Sequence, residues 1–61
     1  MKTYFLYIHD DRYSVPTFQT LETLDDETAR ALATERLAAS PHHRAIELFD
    51  EAQTLVIRIE R

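Results

Sequence analysis

The sequence predicts an α+β fold: a four-stranded antiparallel sheet, ββαββ along the chain, with one helix packed on one face. Three observations lead there. Leu24–Ser40 is dense in Ala, Leu, Arg and Glu, all strong helix formers. Two segments rich in β-branched and aromatic residues precede it, and two follow it. Short polar turns join the members of each pair, and tight turns make antiparallel neighbours. The 61 residues (1–61) form a single domain. A chain of that length buries only about 60% of its unfolded surface, so its core is small.

The first strand is Thr3–His9, the most hydrophobic stretch of the chain. Tyr4, Leu6 and Ile8 alternate on one face, Phe5 and Tyr7 on the other. A strand apolar on both faces sits mid-sheet with both sides covered. Asp10-Asp11-Arg12 follows as a turn without glycine, since Asp tolerates the left-handed conformations a hairpin needs. Tyr13–Thr20 is a poorer second strand. Pro16 lacks an N–H and places it on a sheet edge. Leu21–Thr23 leads into the helix.

The helix, Leu24–Ser40, opens on Asp25, Asp26 and Glu27, whose charge suits the positive end of the helix dipole. Thr23 or Asp25 supplies the N-cap. Asp26 and Arg30 stand at i, i+4 with the acid on the N-terminal side, the favourable order. Ser40-Pro41 ends the helix, because proline disfavours helical geometry in the residue before it. Ala29, Leu32, Ala33 and Leu37 make one apolar stripe. A stripe so rich in alanine lets the helix lie close to a sheet that supplies the bulk.

His42-His43-Arg44 is a polar link, Ala45–Phe49 a third strand and Asp50–Gln53 a turn. Leu55–Glu60 is the fourth strand, with Leu55, Ile57 and Ile59 facing one way and Val56, Arg58 and Glu60 the other. Strand order 2-1-3-4 makes every neighbour antiparallel and puts the Pro16 strand on an edge. Order 2-1-4-3, with a parallel central pair, is the alternative. The expected core is Tyr4, Leu6, Ile8, Ile46, Leu48, Leu55, Ile57 and Ile59 beneath Ala29, Leu32, Ala33 and Leu37.

Three segments carry a resemblance. They are the aromatic strand ending in His-Asp (Tyr4 to Asp10), the acid-started helix (Leu24 to Ala31), and Ile-Glu-Leu-Phe-Asp-Glu followed by Leu-Val-Ile (Ile46 to Ile57). Together they resemble a family of short bacterial ββαββ proteins of unknown function, a likeness that implies no activity. A looser likeness is to antitoxins of the HicB type, in which a hairpin also feeds an acid-started helix. That family usually carries a glycine-rich second strand, whereas this chain has no glycine.

Composition removes several function classes. No cysteine means no disulfide and no thiolate site. No glycine removes phosphate-cradling loops and dinucleotide fingerprints in their standard forms. Eleven acids against seven bases give a net charge of -4, with Lys2 the only lysine. Nucleic acid is therefore not an expected partner, since affinity for phosphate backbones comes from Lys and Arg. No apolar run approaches the roughly 20 residues that span a bilayer, and no secretory leader is evident. The expectation is a cytoplasmic protein with no membrane partner.

His9, Asp10 and Asp11 should share one end of the fold with His42 and His43, but no metal-ligand spacing links them. No metal site and no cofactor is expected. Glu22, Asp25, Asp26, Glu27, Asp50 and Glu51 should gather at the opposite end, where caps and turns favour acids. Ser14 and Ser40 are the only serines, and neither belongs to a Ser-His-acid pattern. No catalytic residue is expected, and the chain should not be an enzyme.

The remaining feature is the sheet face the helix leaves bare. Phe5, Tyr7, Phe49, Val56 and Arg58 should lie there, rimmed by His9 and Glu47. Small monomers seldom leave such contiguous apolar surface in water. The expected function is thus a non-catalytic protein-interaction module, a homodimer packed sheet on sheet. The alternative is a small acidic regulator, antitoxin-like or phage-inhibitor-like, that binds a macromolecular target through the acidic end.

Overall fold

The computed structural model describes all residues, Met1–Arg61. The elements run β1 (Lys2–Asp10), β2 (Thr17–Thr23), α1 (Asp26–Ala38), β3 (His43–Phe49) and β4 (Leu55–Glu60). The strands form one antiparallel sheet in the order β2-β1-β3-β4. This is the predicted ββαββ architecture and strand order. α1 covers one face, leaving two layers with the core between them. No helix is long and apolar enough to cross a membrane.

Both faces of β1 are used, which explains its central place. Tyr4, Leu6 and Ile8 are buried beneath the helix. They join Ala29, Ala33, Leu37, Ile46 and Leu48 in one cluster, with Leu21, Val56, Ile57 and Ile59 packed around it. Ala29 and Ala33 are fully buried, so small side chains bring the helix down onto the sheet. Bulk comes from below, where Tyr4, Leu6, Ile46 and Leu48 are the largest buried side chains.

The second strand begins later than its sequence suggests. Pro16 falls just outside β2, and pairing runs from Thr17 to Thr23 against Ile8 to Lys2. A residue without an N–H ends the ladder, and the strand extends instead through Leu21, which packs against the core. β2 is an edge strand, as Pro16 implies.

The helix is shorter than the predicted span because its cap lies inside it. Asp25 is extended, and its carboxylate accepts the Thr28 N–H at 2.8 Å. Thr23 plays a different part: it is buried, and its hydroxyl donates to the Asp25 carbonyl at 3.0 Å. Asp26 turns to the sheet and accepts the Tyr4 hydroxyl, tying the first helical turn to the central strand.

The closing hairpin departs from strict alternation. Leu48 pairs with Ile57 but Phe49 pairs with Leu55, so Val56 is an extra residue at a register shift. The turn before it carries Gln53 at φ 62°, the one left-handed residue of the chain. Two predicted positions change as a result. Val56, expected on the bare face, packs against the core cluster. Leu55, expected in the core, is opposite Phe49 and 48% exposed.

Candidate interaction face

The sheet face away from the helix carries a cluster of aromatic rings. Register builds it. Phe5 and Tyr7 are alternate residues of β1. Phe49 stands opposite Phe5 on β3, and Phe18 stands opposite Tyr7 on β2. Phe5 and Phe18 stack with ring centres 5.9 Å apart. Tyr7 tilts against Phe18 at 5.2 Å and meets Phe49 edge-on at 5.6 Å. These spacings match the favoured geometries of aromatic pairs. The rings surround an open cavity of about 440 Å³ lined by Phe5, Tyr7, Phe18, Phe49, Glu47 and Gln53.

Of the residues assigned to this face from sequence, Phe5, Tyr7 and Phe49 come together. Arg58 stands on the same face opposite Glu47, while Val56 is turned to the core by the register shift. Phe18 is the residue that sequence reasoning missed. It is 52% exposed, the most open ring of the cluster. Its strand has little apolar alternation, so only the β1–β2 register could have placed it beside Tyr7.

A polar band borders the rings. His9 Nε2 lies 2.7 Å from Glu47 Oε1. Glu47 Oε2 lies 3.7 Å from Arg58 Nε, and Arg58 also pairs with Glu60. The face is thus half aromatic and half ionic, with acid and base adjacent.

The two ends of the sheet differ in kind. At one end Asp10 is buried and takes three hydrogen bonds from Arg12. They come from the backbone N–H at 2.8 Å, Nε at 3.0 Å and Nη2 at 2.7 Å. Those bonds hold its carboxyl well below the usual range, against the opposing effect of burial. Arg12 also lies over the Tyr13 ring at 5.5 Å. Burial works to raise the Asp11 carboxyl, but hydrogen bonds from His42 at 2.9 Å and Arg44 at 2.8 Å outweigh it and lower it. His43 donates from Nδ1 to the Arg36 carbonyl at 2.6 Å. Asp10, Asp11, His42 and His43 do converge, each engaged with an arginine, a backbone group or one another, while His9 pairs with Glu47 instead. No group of three or more His, Asp or Glu side chains is placed to hold a metal ion.

At the opposite end three of the acids serve the backbone. Asp25 caps the helix, and hydrogen bonds from the Thr28 backbone N–H and side chain lower its pKa. Asp50 closes the β3–β4 turn by accepting the Ala52 and Thr54 N–H groups at 3.0 and 2.9 Å. Glu51 accepts the Thr3 N–H at 2.9 Å. The Tyr4 hydroxyl, bonded to Asp26 and buried near Asp25 and Asp50, is pushed up to about 12.

No protein-family model, curated protein sequence or solved structure matches the chain. Its functional reading therefore rests on its own residues.

Proposed function

We propose that the chain is a non-catalytic protein-interaction module that associates with a second copy of itself through the bare sheet face. The observation that carries this reading is the contiguous cluster of Phe5, Tyr7, Phe18 and Phe49, in which Phe18 is exposed and the other three rings are half-buried. Isolated surface aromatics are ordinary, but a joined apolar patch is characteristic of a surface that binds something, and a partner protein is one such occupant. Aromatic residues are also what interface centres favour.

Size and charge favour a second copy as the occupant. The molecule's two longest extents are 32 and 19 Å between outermost Cα atoms, a projection of about 600 Å². A standard interface takes roughly 800 Å² of accessible surface from each partner, so a second copy would engage the whole of a face this size. The polar band holds carboxylates and a guanidinium side by side, a pattern that can satisfy itself across a two-fold axis. A core this small also gains from oligomerisation.

Solution mass by sedimentation, for the natural chain and for Phe5→Glu with Tyr7→Glu, tests the proposal. The natural chain should be a dimer and the double variant a folded monomer. A monomeric natural chain, or a double variant that dimerises as well as the natural one, would refute it.

A further inference from the structure

We infer that the aromatic cavity is completed by Arg58 of the partner subunit, and that the two-fold axis runs along the strands between β1 and β3. The inference rests on the sheet-face dimer and specifies its geometry.

The pairing register supplies the argument. Phe18 on β2, Tyr7 on β1, Glu47 on β3 and Arg58 on β4 form one row straight across the bare face. The next row on that face includes Thr20, Phe5 and Phe49. Two sheets packed face to face can share a two-fold axis along the strands or across them. An axis along the strands, between β1 and β3, exchanges β1 with β3 and β2 with β4. Phe18 then meets the partner's Arg58, Tyr7 meets the partner's Glu47, and Phe5 meets the partner's Phe49. Each is a favourable pair: a guanidinium over a ring face, a phenol donating to a carboxylate, and two rings. The row is self-complementary because its aromatic half and its ionic half lie on opposite sides of that axis.

An axis across the strands lacks this fit. It lays Tyr7 over the partner's Phe5 and sets Glu47 against the partner's Phe49, burying a carboxylate on an apolar ring. Its one advantage is at the ends of the sheet, where acidic turns would meet the arginine-bearing end. Those charges are exposed and stand on turns, where salt screens them beyond roughly 8 Å. Direct contacts in the row outweigh them.

Twist does not spoil the alignment. Packed sheets rotate about 30° relative to one another. Phe18 and Arg58 stand one and a half strand spacings, roughly 7 Å, from the axis. The rotation displaces them by about 4 Å, within the reach of an arginine side chain. The cavity is walled by rings with Glu47 at its margin, so its chemistry suits a planar cation.

Isotope-filtered NOE spectroscopy on a 1:1 mixture of labelled and unlabelled chain tests the geometry. Contacts should join the Phe18 ring to the side-chain protons of the partner's Arg58. Arg58→Ala should stay folded by circular dichroism and weaken dimerisation by about tenfold to a hundredfold, since two such contacts are lost per dimer. A dimer whose contacts join Tyr7 to the partner's Phe5, or an Arg58→Ala dimer within twofold of the natural affinity, would overturn this inference and leave the sheet-face dimer standing. A chain monomeric at every concentration would overturn both.

Discussion

The closeness of helix and sheet makes a sharp prediction at Ala33. This residue is fully buried on α1 and belongs to the cluster containing Leu6, Ile46 and Leu48. Ala33→Leu drives an isobutyl group into a space that two layers have already closed. Overpacking of this kind costs about 1–3 kcal/mol. At about 0.05–0.15 kcal/mol per residue, a chain of 61 residues has a total stability of about 3–9 kcal/mol. One added side chain thus removes a large share of it. Ala31→Leu is the control, because Ala31 is exposed on the same helix and leucine is nearly as good a helix former. Urea unfolding at one fixed protein concentration gives the comparison, since association would make stability concentration-dependent. With a slope near 1 kcal/mol per molar, the Ala33→Leu midpoint should fall by about 1–3 M, and Ala31→Leu should move by less than 0.5 M. Equal midpoints would show that the helix does not rest on the sheet through its alanines.

Other perturbations follow from the same contacts. Leu48→Ala empties a fully buried site and should lose about 2–5 kcal/mol, read as a lowered urea midpoint; a loss under 1 kcal/mol would contradict the assigned core. Tyr4 has a folded pKa of about 12 against an ordinary 10.0. Its contribution to stability is therefore complete below pH 10 and lost as pH rises from about 10 to about 12. Tyr4→Phe should remove that alkaline slope, and unchanged slopes would refute the Tyr4–Asp26 bond. Asp10 is depressed below its ordinary 3.8, so its contribution is present above that pH and drains as pH falls further. Asp10→Asn should flatten the acid limb of a urea-midpoint profile, and superimposable limbs would argue against the Arg12 clamp. Gln53→Gly relieves a left-handed residue and should raise stability by about 0.5–1 kcal/mol, whereas a loss would mean that its side chain matters more than its backbone.

The elements were legible where local chemistry and global packing agree. The two-faced apolarity of Tyr4 to Ile8 demanded a central strand, and Pro16 demanded an edge. Those two residue patterns, with antiparallel neighbours throughout, gave the strand order. The helix stripe gave the covered face. The misplacements share one cause, which is that register is a property of two strands and not of one. Strict alternation in Leu55–Glu60 put Val56 on the bare face, but the extra residue after the Gln53 turn rotates it into the core and frees Leu55. Phe18 was invisible for the same reason: nothing within Thr17–Thr23 marks it, and only its position opposite Tyr7 brings it into the cluster. The charged ends, by contrast, were foreseeable as to location. Which acid caps the helix and which arginine clamps Asp10 depended on side-chain geometry that spacing does not encode.

Analytical ultracentrifugation of the unmodified chain across a wide concentration range puts the whole proposal at risk in one experiment. Two copies of a 7.2 kDa chain should sediment together at micromolar concentrations and separate on dilution. A single 7.2 kDa species throughout would mean that four clustered rings are content to face water.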